Sequence, residues 1–238
     1  MNDKDSIISR YHYNSAYIWE ALPKTELEEL QTNARIIKYK KGDVVYHEGA
    51  YPKSLFIIVE GKVKIYQTNE KGVRQIVYIY MKGEAFGHRQ VICQQTYPVT
   101  AMAFEDTEVM MIPSEDFLSL LDRSYFLTRN LLQSLSIEFS VWVNRIASFA
   151  RKTVRERLAL ALLILHEKFM QKGKEYLPVV INITRTELAE YVGVPLETLV
   201  RNLSFFKEEG WIHLNGKRII IMDYEAIVKA IGEYPPSV

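Results

Sequence analysis

Cysteine is almost absent from this sequence of 238 residues, which contains only Cys93. A single thiol cannot form an internal disulfide, and alone it cannot hold a zinc ion or an iron–sulfur cluster. The count therefore excludes oxygen sensing by a cluster that needs four cysteines. We expect Cys93 to serve as a small, buried or half-buried hydrophobic residue.

Long apolar runs are also missing. No stretch of about eighteen uncharged apolar residues occurs, so the sequence predicts neither a membrane-spanning helix nor a membrane partner. Residues 1–10 are polar and lack the apolar core of a secretory signal, which favours a cytoplasmic protein. The formal net charge of +1 argues against nonspecific coating of nucleic acid, but it leaves room for a local basic patch.

Short apolar stretches separated by turn residues fill the region between Ile36 and Pro113. Glycine-containing turns such as Lys41-Gly42-Asp43 and Glu60-Gly61-Lys62 separate them. This spacing predicts an antiparallel sandwich or barrel, preceded by a helix over Ala16–Leu30. The predicted strands lie at residues 44–46, 55–59, 63–66, 76–81, 99–104 and 109–112.

A long helix is predicted from Tyr125 to Phe149. Its apolar residues recur at steps of three and four, the spacing of a seam that pairs two helices. One alternative is a helix that packs only on its own barrel, but apolar residues on its other faces favour contact with both a barrel and a partner. We therefore predict a homodimer, whose seam consists of Leu131, Leu135, Phe139, Trp142, Ile146 and Phe149.

The remaining sequence predicts a compact unit of short helices and strands. Two helices flank the turn Gly193-Val194-Pro195, and a hairpin is predicted at Asn215-Gly216 because this pair between apolar runs is a strong hairpin signal. Together they make a winged helix-turn-helix. The predicted elements are helix 154–169, loop 171–175, strand 179–183, helices 184–192 and 196–209, strands 211–214 and 218–222, and helix 224–231.

The second helix of this unit carries the candidate base-reading residues Leu196, Glu197, Val200 and Arg201. Apolar side chains at exposed positions suit contact with thymine methyl groups. Arginine can bond guanine, and glutamate can accept from cytosine. The alternative is that Glu197 and Arg201 only bridge each other as an i,i+4 pair on a solvated face.

The segment from Ile183 to Arg201, ITRTELAEYVGVPLETLVR, resembles the helix-turn-helix of CRP/FNR transcription regulators. The resemblance extends to KGD at 41–43, FIIVEGKV at 56–63 and VRERLA at 154–159, so it covers nearly the whole chain. It implies an α+β protein with an N-terminal antiparallel β-barrel of the jelly-roll, cyclic-nucleotide-binding type, a long dimerisation helix and a C-terminal winged helix-turn-helix. We expect these parts at residues 1–122, 123–152 and 153–238.

The same resemblance assigns roles at the DNA. It places the family's Glu–x–x–x–Arg reading pair on Glu197 and Arg201, and Leu196 is closer to the FNR branch than to the cAMP-receptor branch. It also implies that Thr184, Arg185 and Thr198 contact phosphates. To these we add Lys217 and Arg218 of the wing, from their charge and placement.

The expected effector pocket contains Gly87, His88, Arg89, Thr100 and Trp142. Its resemblance to cAMP-binding relatives is incomplete, because His88 replaces the ribose-binding carboxylate and Pro98-Val99 replace the Arg-Ser pair that holds the phosphate. This disfavours cAMP and cGMP, although Arg89 could supply a substitute charge. Haem stays open because His88 lies beside the position where a haem-binding relative ligates iron, but an ordinary loop histidine is favoured.

We therefore predict a homodimeric, sequence-specific transcription regulator that binds double-stranded DNA under control of an unidentified effector, with RNA polymerase as a further candidate partner. One alternative is a haem- or cyclic-nucleotide-binding regulatory subunit that acts through protein partners. An enzyme built on the barrel is disfavoured because no cluster of metal-ligating residues is evident. No catalytic residue and no metal site is predicted.

Overall fold

The computed structural model describes residues 9–170 and 178–232. They form two compact units. The first contains residues 13–139, and the second contains 140–232 together with residues 9–12. The loop predicted at 171–175 lies outside the described residues. No helix in the described part of the chain is long and apolar enough to cross a membrane.

Two four-stranded antiparallel sheets dominate the first unit. One sheet has the strand order β1-β8-β3-β6 and the other β2-β7-β4-β5, so the described strands form a jelly roll that does not close into a single barrel. The strands are β1 Arg35–Tyr39, β2 Val44–Tyr46, β3 Ser54–Glu60, β4 Lys62–Thr68, β5 Arg74–Met81, β6 Ala85–Phe86, β7 Thr100–Ala103 and β8 Thr107–Pro113.

Five helices accompany these sheets: α1 Tyr17–Glu20, α2 Lys24–Thr32, α3 His88–Cys93, α4 Ser114–Arg123 and α5 Tyr125–Arg151. The prediction of a single helix over Ala16–Leu30 is wrong. The first helix ends before Pro23, and the fixed φ and missing N–H of this proline suit the start of a second helix. The strands β1 and β6 and the helix α3 were not predicted.

The core of the first unit joins helix faces to one sheet. Ile18, Leu30 and Phe117 pack with strand residues of β3 and β8, and Leu127 and Leu131 of α5 complete the same cluster. Full burial of a large apolar side chain contributes about 1.5–3 kcal/mol. The first part of α5 therefore belongs structurally to the first unit.

The second unit continues α5 and adds four helices and a small sheet. The sheet has the order β10-β11-β9. Capping boxes begin α6 and α7, where Thr153 and Thr184 each accept from the backbone N–H three residues on. The elements are α6 Val154–Phe169, β9 Ile181–Asn182, α7 Arg185–Val192, α8 Leu196–Glu208, β10 Ile212–Asn215, β11 Arg218–Ile221 and α9 Tyr224–Lys229. The strand predicted at 179–183 is thus shorter than expected.

Candidate functional site

The turn between α7 and α8 has the geometry of a helix-turn-helix. Gly193 ends α7 with φ +73°, a left-handed conformation that glycine adopts without a Cβ clash. The N–H groups of Gly193 and Val194 both donate to the carbonyl of Ala189, at 2.8 and 3.1 Å. The small side chain of Ala189 is buried between the helices. The sequence prediction for this turn agrees with its local geometry.

Helix α8 has a buried face and an exposed face. Leu199, Leu203 and Phe206 are fully buried in the small core. On the other side Leu196 and Val200 are 45% and 44% exposed, although both are apolar. Glu197 and Arg201 are exposed beside them. The structure thus brings all four predicted base-reading residues together on the N-terminal half of one solvent-facing helix surface.

Glu197 and Arg201 do not neutralise each other. Within the part of the chain that the structure describes, their side chains form no ion pair despite their i,i+4 spacing. Both charged groups are therefore available to an external partner. This geometry weighs against the alternative that the pair only stabilises a solvated helix face.

The wing is a tight hairpin. Asn215 pairs with Arg218, so the two central residues are Gly216 and Lys217 rather than the Asn-Gly pair itself. Gly216 has φ +55°, which fits a turn with glycine at its first central position. Lys217 and Arg218 are exposed. The wing thus presents two cationic side chains to solvent.

Two of the predicted phosphate-binding residues are engaged within the protein. The Thr184 hydroxyl accepts from the Glu187 N–H at 3.1 Å in the capping box. Arg185 Nη2 donates to the Gly216 carbonyl at 2.9 Å, which ties the start of α7 to the tip of the wing. Burial lowers the pKa of Arg185. Thr198 is half-buried on α8. No local sequence pattern predicts the bond between Arg185 and the wing, because 31 residues separate its partners.

The predicted dimer seam is only partly exposed. Leu131 lies in the core of the first unit and Leu135 packs partly against that core, so neither presents a free apolar surface. Trp142 is half-buried. Phe139, Ile146 and Phe149 are exposed as expected, and the other large exposed apolar residues of α5 are Tyr125, Phe126, Leu132, Ile137 and Val143. The exposed apolar surface of α5 is therefore rotated from the predicted seam toward Leu132 and Val143.

The expected effector pocket begins where β6 leads into α3. Gly87 has φ +83°, and a Cβ at this position would lie 3.1 Å from the Phe56 ring. His88 follows it and is fully buried. Neither of its ring nitrogens has a hydrogen-bond partner among the described residues. Burial, with repulsion from Arg89, lowers the pKa of His88 to about 4, although Glu138 opposes the shift. His88 is therefore neutral at pH 7.

Arg89 is held by a carboxylate that sequence reasoning missed. Its Nη1 lies 2.9 Å from Glu138 Oε1, and the Tyr13 hydroxyl donates to the same oxygen at 2.8 Å. Glu138 is the one acidic residue in α5, and it is buried. The sequence does contain a signal for this role, because Glu138 is a single carboxylate in a long helix whose other residues are apolar, polar or basic. The network joins the N-terminal segment, α3 and α5.

The groups in this region do not fit a cyclic nucleotide. A buried phosphate requires a cationic, hydrogen-bonding partner, but Arg89 is paired with Glu138. Thr100 accepts from the Glu48 N–H at 3.1 Å, and Pro98 and Val99 offer no side-chain donor. Of the predicted pocket residues, the structure brings together Gly87, His88 and Arg89, whereas Thr100 lies in the other sheet and Trp142 belongs to the second unit.

Metal ligands do not gather in the described ranges 9–170 and 178–232, where no group of three His, Cys, Asp or Glu residues is placed to hold an ion. Cys93 is an exposed free thiol rather than the buried or half-buried residue that we expected.

Comparison with known proteins agrees with the order of the two units along the chain. The cyclic nucleotide-binding domain family model matches residues 36–124, and the Crp-like helix-turn-helix domain model matches residues 156–230. A domain of the first family followed by this helix-turn-helix, in a chain whose curated relatives are transcription regulators, defines a DNA-binding transcription regulator, and not an enzyme.

Individual relatives are regulators of the same class. The chain is 28% identical over 201 residues to the transcriptional activator protein anr of Pseudomonas aeruginosa, which covers 83% of this chain and 82% of that protein. It is 29% identical over 215 residues to the fumarate and nitrate reduction regulatory protein of Escherichia coli, with 89% and 84% covered. The structure of FixK2 from Bradyrhizobium japonicum shares the fold, with a TM-score of 0.75, 22% identity, and 85% and 99% covered. The chain belongs to the CRP/FNR family of transcription regulators.

Proposed function

We propose that this protein acts in the cytoplasm as a homodimer and reads a two-fold symmetric DNA site through α8. The observation that carries the proposal is the solvent-facing group of Leu196, Glu197, Val200 and Arg201 on the N-terminal half of that helix. Helices of this motif contact base edges in the major groove through their N-terminal residues. The structure supports these four side chains as the base-reading set.

Contacts with the DNA backbone come from Thr198 of α8 and from residues that flank this helix. Lys217 and Arg218 on the wing supply positive charge, and Thr198 and Thr184 supply hydroxyl groups near the helix starts. Each phosphate neutralised by a lysine or arginine contributes to the salt dependence of binding. Arg185 belongs to the same region, but its bond to Gly216 gives it a structural task as well.

Selection of bound sequences from a random duplex pool, with no ligand added, tests base reading. We expect a symmetric motif with half-sites about one helical turn apart. On the selected site, Arg201→Ala should cost about 1–3 kcal/mol and relax the preference at one base pair. Lys207→Ala is the matched control, since Lys207 is also basic and exposed but lies in the last turn of α8. Equal weakening of specific and random DNA by Arg201→Ala would remove Arg201 from the base-reading set.

The dimer interface in this proposal is the exposed apolar surface of α5. Tyr125, Leu132, Phe139 and Ile146 follow one another at intervals of seven residues, and all are more than half exposed. A seven-residue repeat keeps side chains on the seam between two paired helices. Exposed aromatic and aliphatic side chains at this spacing are typical of a surface that a partner covers.

Charge insertion tests this interface. Ile146→Glu should convert a dimer into a monomer, as measured by sedimentation, because a carboxylate would be buried at the seam. Gln133→Glu is the control, since Gln133 is exposed on the same helix but lies outside the apolar repeat. An Ile146→Glu variant that remains dimeric would exclude this seam.

The proposal also includes an effector. We expect a signal at the first unit to change the DNA-binding state through α5, with a ligand that is not a cyclic nucleotide. Haem binding by His88 can be tested by adding haem to the protein and recording the absorbance spectrum of the wild type and His88→Leu. Because one relative is named as a transcriptional activator, RNA polymerase is the protein partner to test.

A further inference from the structure

A buried arginine connects α5 to the helix-turn-helix. Arg145 is buried in the second unit, and its Nη2 donates to the Tyr191 hydroxyl at 2.5 Å. Its guanidinium carbon lies 5.5 Å from the centroid of the Tyr191 ring and 5.4 Å from that of Trp142. Tyr191 belongs to α7, the first helix of the helix-turn-helix. The contact therefore joins two helices through residues that are 46 positions apart in the sequence.

Additional contacts hold the end of α5 at the same place. Lys152 Nζ donates to the Ile231 carbonyl, which lies just after α9, at 2.6 Å. The guanidinium of Arg157 in α6 lies 5.6 Å from the centroid of the Phe149 ring. Only Lys152 and Thr153 separate α5 from α6. Cationic side chains thus fix the last turns of α5 on the helices that follow it.

Among these contacts, the bond between Arg145 and Tyr191 is the one that reaches the helix-turn-helix itself. A buried guanidinium must keep its hydrogen-bond acceptors, because an uncompensated buried charge is strongly destabilising. A rotation of α7 relative to α5 would remove the Tyr191 hydroxyl from Arg145. The pair therefore favours one orientation of the helix-turn-helix relative to α5.

We infer that Arg145 is a positioning residue for DNA binding, which acts through Tyr191 to fix the orientation of the reading helix relative to α5. This inference rests on the proposed function, since α5 carries the proposed dimer interface. In a dimer, a fixed orientation sets the separation of the two α8 helices and hence the spacing between half-sites. Loss of the bond affects the use of two half-sites together, but not the contacts within one half-site.

Binding to three duplexes tests the inference. They are the selected symmetric site, the same site with two base pairs added at its centre, and a single half-site. Fluorescence anisotropy gives the affinity of the wild type and of Tyr191→Phe, which removes the hydroxyl and keeps the ring. We expect Tyr191→Phe to weaken binding to the symmetric site about tenfold and to leave the affinity for the half-site within about twofold of the wild-type value. The variant should also show a smaller difference in affinity between the symmetric site and the site with two added base pairs.

Two further variants make the test specific. Tyr224→Phe removes a tyrosine hydroxyl from α9 of the same unit, and it should leave the preference between spacings unchanged. Arg145→Lys keeps a positive charge but loses the planar fork, so it should resemble Tyr191→Phe. If the two groups act as a pair, adding Tyr191→Phe to Arg145→Lys should cause little further loss.

Hydrogen exchange without DNA separates this inference from the dimer proposal. Tyr191→Phe should increase exchange at the end of α5 and in the segment that follows it, around residues 146–153, whatever the oligomeric state. If the wild type binds a half-site as tightly as the symmetric site, the proposal of a dimer that reads two half-sites fails, and hydrogen exchange alone tests the positioning role of the bond between Arg145 and Tyr191. Unchanged exchange, or equal weakening on the symmetric site and the half-site, would overturn the role assigned to Arg145.

Discussion

The burial of His88 makes the stability of the first unit dependent on pH. In the folded chain its pKa is lowered from 6.5 to about 4, first by burial and then by repulsion from Arg89. Between these two values the unfolded chain binds a proton that the folded chain excludes. The free energy of unfolding therefore falls as the pH decreases from 6.5 toward 4 and levels off below that range.

The magnitude follows from the width of this window. Each pH unit within it changes the free energy of unfolding by about 1.4 kcal/mol. Acidification from pH 7 to about pH 5 should therefore remove about 2 kcal/mol through His88 alone. In His88→Leu this contribution is absent, and stability at pH 7 should be maintained or increased because two unpartnered buried nitrogens are replaced by apolar carbon.

Urea unfolding at the two pH values measures this difference, provided that the signal comes from the first unit. His12, in the second unit, also has a lowered pKa, at about 2, because of burial and the charges of Lys168 and Arg145. Trp19 reports the first unit when Trp142 and Trp211 are replaced by phenylalanine. All variants are compared in that background.

His47→Leu is the control, since His47 is exposed in the same unit. It should keep the loss of stability at low pH, whereas His88→Leu should reduce that loss by about 2 kcal/mol. A His88→Leu variant that is destabilised by acid as much as the parent would refute the assignment of a buried, neutral histidine.

Two other changes test the DNA-binding unit. Arg185→Gln removes the bond to the Gly216 carbonyl, so hydrogen exchange in the wing should increase in the free protein. Lys217→Gln, the control, should instead lower the salt slope of DNA binding by about one without changing that exchange; equal exchange in both variants would leave Arg185 without a role in the wing. Gly193→Ala should lower the free energy of unfolding of this unit by about 1–2 kcal/mol in thermal or urea unfolding because φ is +73°. Gly193→Asn should cost less, and equal losses would contradict the conformational explanation.

The local signals in the sequence were sufficient for the helix-turn-helix. Thr184 and Glu187 predict the start of α7, and Gly193 predicts its end, because a capping box and a left-handed glycine depend on residues only a few positions apart. The exposed face of α8 followed from the same pattern. Family membership could be recognised from this segment for the same reason.

The orientation of α5 could not be obtained in this way. Leu131 and Leu132 are adjacent and equally apolar, but Leu131 is buried in the core and Leu132 is 62% exposed. Both residues fit a seam by spacing alone. Only packing against Ile18, Leu127 and the rest of the first core determines which of them is available to a partner.

The sequence by itself determined the family, the order of the domains and the four residues that lie on the exposed face of α8, because short-range spacing encodes helix starts, turns and faces. Tertiary structure alone decided that Arg89 is paired with Glu138, that Arg145 reaches Tyr191 and that Arg185 holds the wing. The partners in these contacts are 31 to 49 residues apart, so their meeting depends on how whole elements pack, which no local pattern records.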